Sequence, residues 1–195
     1  YEFKRYARER SSPQALPSSF VWDAQQDRNG DLWLAVKDGG VAQWQRQTER
    51  IVSIRHDPAN PQSLSSDAVR KLLIDRLGRI WVGTVGGGLN LLDPASGRIE
   101  RYRSDPSRDD SLSSDVVTAL YEDRNGDIWI GTDDGLNRWL PQSRSFRRYL
   151  RRGNDRTQLS SNRISAISGS RGSALWIGTY DAGLNRLDQE TGIVT

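Results

Sequence analysis

The sequence predicts an all-β fold: a β-propeller of four-stranded antiparallel blades. Three observations predict it. A tryptophan-centred sentence recurs, with Trp33, Trp81, Trp129 and Trp176 spaced 48, 48 and 47 residues apart. A Gly-Leu-Asn marker follows it at Gly88-Leu89-Asn90, Gly135-Leu136-Asn137 and Gly183-Leu184-Asn185, with a degenerate Gly40-Val41-Ala42. A Ser-Leu-Ser-Ser-Asp marker precedes it at Ser63 to Asp67 and Ser111 to Asp115, weakened to Gln158 to Asn162 and Ala15 to Ser19. Three markers holding one phase define four repeats, and a period of 47–48 residues with short alternating segments is that of propeller blades.

Each repeat reads as four strands. The first follows the Leu-Ser-Ser loop: Ser19 to Ala24, Val69 to Asp75, Val116 to Glu122 and Ile164 to Ser168. The second carries the tryptophan: Leu32 to Ala35, Ile80 to Thr84, Ile128 to Thr132 and Leu175 to Thr179. Between them Asn125-Gly126 and its copies predict a type I′ hairpin turn, where both central residues need φ > 0. The third follows the glycine turn: Val41 to Gln45, Leu89 to Asp93, Leu136 to Leu140 and Leu184 to Asp188. The fourth is polar and basic: Ile51 to His56, Ile99 to Arg103 and Phe146 to Leu150. No segment sustains a 3.6-residue period, so no helix is expected. The blades fall at about 16–56, 64–103, 112–150 and 159–195 of one domain, 1–195. Residues 1–6, Glu2-Phe-Lys-Arg-Tyr6 among them, match a fourth strand and would complete the last blade. The fold is then a closed four-blade ring or part of a larger ring.

Composition narrows the function. Cysteine is absent, which excludes disulfides, cysteine zinc sites and thiol catalysis. No run nears the roughly 18 apolar residues of a membrane-spanning helix. A net charge of +3 is too small to indicate nucleic acid, and no nucleic-acid partner is expected. A chain without methionine that opens on Tyr1 reads as a piece of a longer protein.

The chemical motifs resolve into scaffolding. Asp27 to Asp31 and Asp123 to Asp127 look like half a calcium loop, but the closing glutamate and flanking helices of an EF-hand are missing. No metal and no cofactor are expected. Gly86-Gly87-Gly88 continues into a strand, not into the helix a phosphate cradle needs. The single histidine, His56, ends a fourth strand beside Asp57-Pro58, a poor place for a base. Basic runs at Phe3 to Arg5, Arg98 to Arg103 and Arg144 to Arg156 fall on or beside fourth strands, where charge protects an edge. The recurring tryptophans should pack between blades; Trp22, Trp44 and Trp139 are extra core or platforms for a sugar.

Function is expected where equivalent turns carry different chemistry, since loops vary cheaply on a rigid scaffold. The turn between second and third strands holds Lys37-Asp38 in the first repeat, Asp133-Asp134 in the third and Tyr180-Asp181 in the fourth. These six residues are the candidate ligand-binding set, with hydrogen bonds to a polar ligand and Tyr180 against a ring. The ligand would be an unknown small molecule or glycan.

The pattern Ser-Leu-Ser-Ser-Asp, then Ala119-Leu-Tyr-Glu-Asp-Arg-Asn-Gly-Asp-Ile-Trp-Ile-Gly-Thr-Asp-Asp-Gly-Leu-Asn-Arg138, resembles the two-component regulator propeller repeat. The resemblance implies the periplasmic sensor region of a bacterial receptor, of the hybrid histidine kinase or diguanylate cyclase (GGDEF) kind. It implies a ligand-sensing or interaction module of an inner-membrane protein, with no catalysis of its own and with kinase or cyclase output elsewhere. Membrane attachment would come only from other parts of the parent protein, and homodimers through propeller association would transmit the signal. The alternatives are a carbohydrate-active lyase or glycosidase and a protein-binding scaffold.

Overall fold

The computed structural model describes residues 15–153, 157–170 and 172–195. Among these residues every regular element is a strand. Sheet 1 comprises β1 (Val21–Gln26), β2 (Leu32–Val36), β3 (Gly40–Gln45) and β4 (Arg50–Ile54). Sheet 2 comprises β5 (Val69–Ile74), β6 (Ile80–Thr84), β7 (Leu89–Leu92) and β8 (Ile99–Tyr102). Sheet 3 comprises β9 (Val117–Glu122), β10 (Ile128–Thr132), β11 (Gly135–Leu140) and β12 (Ser145–Tyr149). Sheet 4 has β13 (Ile164–Gly169), β14 (Ala174–Thr179) and β15 (Leu184–Asp188). Strands follow chain order in each sheet, and they pair antiparallel throughout sheets 1, 3 and 4, as β5 does with β6. These are propeller blades. Sheet 4 has three full strands and one antiparallel bridge, Leu187 to Val194, where a fourth would begin. The closing role expected of residues 1–6 lies outside the described residues.

The blades group into two compact units. Of the described residues, one holds 15–85 and 90–101 and the other 86–89 and those from 102 onward. In the first, Trp33, Ala35 and Val41 of sheet 1 join Leu64, Val69, Leu72, Ile80, Val82, Leu92 and Ile99 of sheet 2 and its entry loop in one core. In the second, Trp129 and Leu136 of sheet 3 join Leu159, Ile164, Leu175, Ile177, Leu187 and Val194. The expected inter-blade role holds for Trp33 and Trp129, whereas Trp176 is 39% exposed and in neither of these cores. Gly131 explains the glycine two positions later: a Cβ there would lie 2.6 Å from Ile164 Cγ2, so only hydrogen lets the next sheet's first strand come this close.

The first turn differs from expectation. Gly30 and Gly126 have φ of 85° and 89°, but neither Asn29 nor Asn125 has positive φ, so the turn is not type I′. The preceding aspartate reorganises it. Asp123 Oδ1 accepts the amides of Asn125 and Asp127, and its Oδ2 accepts the Trp129 indole N–H at 2.9 Å. Asp27 does the same for Asn29, Asp31 and Trp33, and Asp75 for Leu77, Arg79 and Trp81. An Asx turn with one left-handed glycine satisfies the carboxylate and anchors the tryptophan together. The acidic loop is a tryptophan latch. In sheet 4 Ser170 takes the aspartate's place, six residues before Trp176.

Aspartates at the ends of β7 and β15 and in the loop between β8 and β9 are held in their charged form. Hydrogen bonds from Ser96 keep Asp93 below its ordinary 3.8, Ser107 does this for Asp105, and Thr191 for Asp188. A carboxylate whose folded pKa is depressed contributes stability above its unfolded pKa and loses it as pH falls through the folded pKa. Titration of these carboxyl carbons by NMR is expected to give midpoints below the ordinary aspartate value, with turn stability declining only in acid. Midpoints at or above the ordinary value would contradict the turn geometry.

Candidate functional site

The candidate residues sit where the turn between a sheet's second and third strands meets the loop entering the next sheet. One repeated bond builds this junction. The Gly40 amide donates to the Asp67 carbonyl, those of Gly86 and Gly88 to Asp115, and that of Gly135 to Asn162, at 2.7–3.0 Å. Gly88 must be glycine: its φ is 76° and a Cβ would lie 2.3 Å from the Tyr102 carbonyl. The Asp67 carboxylate turns back to Arg55 Nη2 at 2.7 Å and to the His56 amide. Asp115 holds Arg103 and the Ser104 amide in the same way. In the last copy both partners change together. Leu150 stands in the arginine's place, and Asn162 donates instead to Asp134 Oδ1 at 3.0 Å.

The loop is held from below by the Gly-Leu-Asn asparagines. Asn90, Asn137 and Asn185 are buried, and their Oδ1 atoms accept the amides of Ser65, Ser113 and Ser160 at 2.8–3.0 Å. The motif leucines Leu64, Leu112 and Leu159 are buried beneath the loop. Arginines of the fourth strands, β8 and β12, add a second clamp that an edge-protection reading misses. Arg101 reaches the Ser63 and Leu64 carbonyls, and Arg148 those of Ser111 and Leu112. His56 Nδ1 meets the Leu64 carbonyl at 2.6 Å, so this ring staples a loop.

On this frame four equivalent backbone bonds fix the variable slot. The amides of Lys37, Val85, Asp133 and Tyr180 donate to Phe20, Ala68, Val116 and Arg163. Lys37 and Asp38 lie in the first unit; Asp133, Asp134, Tyr180 and Asp181 lie in the second. In the second unit the structure gathers three of the four. Arg163 lies 5.7 Å over the Tyr180 ring and 3.8 Å from Asp181 Oδ2, beside the Asn162 that holds Asp134. Asp133 is exposed beside them.

In the first unit Lys37 and Asp38 line a cleft of about 290 Å³ with Trp22, Ala68, Val69, Arg70 and Val85. Lys37 Nζ lies 5.9 Å from the Phe20 ring, and the Arg70 guanidinium 5.9 Å from Trp22. Phe20 and Trp22 are 4.6 Å apart and Trp22 is 47% exposed. Two rings flanked by two cations make a stacking platform for a ring that carries negative charge. Phe20 and Arg70 were not among the candidates from sequence. Their signal was there: Trp22, Arg70 and Thr118 occupy one repeat position with unrelated chemistry. Trp139, by contrast, is core, 4.8 Å from Tyr102 and 5.1 Å from Phe146. Among the described residues no group of three His, Asp or Glu side chains could hold a metal, and no helix is long and apolar enough to cross a membrane.

Comparison with known proteins follows the same lines. The family model for the two component regulator propeller matches residues 15–38, 63–86 and 111–134. No curated protein sequence matches the chain. Among solved structures, the chain is similar to the extracellular domain of a protein described as a hybrid two component system from B. thetaiotaomicron. The TM-score is 0.70 at 22% identity, over 88% of this chain and 22% of that one. It is also similar to virginiamycin B lyase from Staphylococcus aureus, with TM-score 0.64 and 20% identity over 90% and 54% of the two chains. PorZ of the Porphyromonas gingivalis type-IX secretion system gives TM-score 0.68 at 13% identity, over 100% and 29%. The chain thus spans about a fifth to a half of the length of these proteins, and at such identities the likeness is one of fold. Three of the four repeats thus match the two component regulator propeller model, and the sheets are wired by those repeats' own marker residues.

Proposed function

We propose that this chain is a ligand-sensing module of a bacterial transmembrane signalling receptor, placed outside the cytoplasm and without catalysis of its own. Kinase or cyclase output would lie in other parts of the parent protein. The observation that carries the reading is the first unit's cleft, where Trp22 and Phe20 are flanked by Lys37, Arg70 and Asp38 on an otherwise repetitive scaffold. A rigid repeat that departs from its own pattern at one exposed aromatic and charged cleft has the make-up of a recognition site. Its chemistry suits a glycan carrying carboxylates, with rings on the indole and acid groups toward Lys37 and Arg70. The same repeat supports a non-catalytic role. The latch aspartates Asp27, Asp75 and Asp123 each accept two amides and an indole, and the single histidine bonds a backbone carbonyl. None of these groups is set up as an acid or a base.

Calorimetry with uronate oligosaccharides and neutral ones of equal length tests this reading. The wild type should prefer the acidic ligand. Trp22→Ala should weaken binding about tenfold, a loss of roughly 1.4 kcal/mol, and Lys37→Ala should erase the preference for acid. Binding that survives in Trp22→Ala but falls in Tyr180→Ala/Asp181→Ala would move the site to the second unit. No binding of either ligand by the wild type would remove glycan sensing altogether.

A further inference from the structure

In the first unit's cleft one residue is not explained by the turn that carries it. Asp38 has φ of 54°, in the left-handed region that favours glycine. The second repeat has Gly86 at this position, with φ of 83°. The two backbones are held alike. Arg55 Nη2 donates to the Asp38 carbonyl at 3.1 Å, and Arg103 Nη2 to the Gly86 carbonyl at 3.2 Å. Glycine therefore serves this turn, and an aspartate that accepts the backbone strain points to a use beyond the turn.

That use is not inside the protein. Among the described residues no hydrogen bond or ion pair reaches the Asp38 carboxylate, since Arg55 meets only its carbonyl. Aspartates of the other variable turns are engaged: Asp134 Oδ1 accepts from Asn162 at 3.0 Å, and Asp181 pairs with Arg163 at 3.8 Å. Asp38 is exposed and lines the cleft beside Lys37, with Trp22 and Arg70. Both walls of the cleft lie within the first unit, on sheets 1 and 2 and their connecting turns.

We propose that Asp38 is the specificity-determining residue of this cleft, accepting hydroxyls of a sugar-acid ring whose carboxylate turns to Lys37 and Arg70. This rests on the glycan-sensing reading above and sharpens it. A cationic aromatic cleft alone takes any flat anion, because stacking and charge do not depend on hydroxyls. An ionised carboxylate only accepts hydrogen bonds. It holds neighbouring hydroxyls and repels an anion that brings none. Attraction and repulsion together then separate uronates from aromatic acids.

Calorimetry with a uronate trisaccharide and with naphthoate tests this on wild type, Asp38→Gly, Asp38→Asn and Trp22→Ala. The wild type should prefer the uronate. Asp38→Gly should weaken uronate binding about tenfold or more, and bind naphthoate as tightly as wild type or tighter, because a nearby negative charge is gone. Its melting temperature should equal or exceed that of the wild type, as in a turn that glycine suits. Asp38→Asn keeps an accepting oxygen and should lose less uronate affinity than the glycine variant. An Asp38→Gly chain that binds uronate as wild type does overturns the proposal; if Trp22→Ala still loses the uronate, the glycan reading stands without it. Parallel losses of uronate and naphthoate, or a lowered melting temperature, would also overturn it, since the aspartate would then be shaping the turn. A wild type that prefers naphthoate, or binds neither ligand, removes the glycan reading and this role of Asp38 together.

Discussion

Trp129→Ala is expected to destabilise the second unit by about 3–5 kcal/mol, the range for deleting a buried aromatic side chain. Two losses add. The indole sits in the core with Leu159, Leu175, Ile177 and Leu187, so its removal opens a cavity between two sheets. Its N–H also serves Asp123, which is buried and would keep its two amide bonds but lose the third. Trp129→Phe separates these terms, because it keeps most of the packing and drops the latch. It should cost less than the alanine variant. Trp176→Ala at the equivalent exposed position should fall within about 1 kcal/mol, as surface changes do. Denaturant unfolding followed by circular dichroism measures all three. Equal losses at Trp129 and Trp176 would show that the tryptophan acts within its own sheet and not against the next one.

Asn137→Ala ranks second, at roughly 2–4 kcal/mol by the cost of stranding buried polar groups. The asparagine is fully buried and its two ends do different jobs. Oδ1 accepts the Ser113 amide at 3.0 Å, while Nδ2 donates to Ser113 Oγ at 2.8 Å and to the Ile130 carbonyl at 3.2 Å. Alanine strands the Ser113 amide and removes a donor from the Ile130 carbonyl and from the Ser113 hydroxyl, which keeps only Thr132 Oγ1. Asn137→Asp is the sharper variant: the shape and the accepting oxygen stay, but both donations vanish and a charge is buried. It should be at least as harmful as alanine at neutral pH and recover part of the loss in acid, where a protonated carboxyl can donate again. The entry loop should become more protease-sensitive in both. An Asn137→Asp chain as stable as wild type would mean that the amide donations contribute nothing.

The repeat made the architecture legible. Three markers in phase were enough to place all fifteen observed strands within a residue or two, because each marker sits at a strand end that turn chemistry fixes. What sequence reading misassigned were the partners. The Asp-x-Asn-Gly run carries its turn signal in Asn-Gly, so the aspartate looked like a spare carboxylate; its indole donor lies six residues on, across the hairpin. Arg101 and Arg148 looked like edge charge because a strand's period tells which face a side chain takes, but not which loop it reaches. The cleft was half legible. Lys37 and Asp38 stood out as a varying turn, but Phe20 and Arg70 come from the starts of two different sheets, and only tertiary packing brings them together. In the second unit Tyr180, Asp181 and Asp134 do gather, through Arg163 and Asn162, which no spacing rule pairs with them.

The Arg55–Asp67 and Arg103–Asp115 clasps join residues only twelve apart, and the amides of Gly40, Gly88 and Gly135 bond a loop twenty-seven residues onward. Every such tie is complete within a stretch of about one repeat. Recombination that removes or inserts 48 residues between Asp67 and Asp115 would therefore present each surviving group with a chemically identical mate. Copy number in this lineage can drift through unequal crossing-over without passing through a broken intermediate, as stability built from nearest-neighbour terms allows. The exception is the Leu150–Asn162 junction, where both mates have been exchanged: a crossover there would set an arginine against an asparagine, or a leucine against an aspartate. That junction is a fixed point in an otherwise interchangeable array.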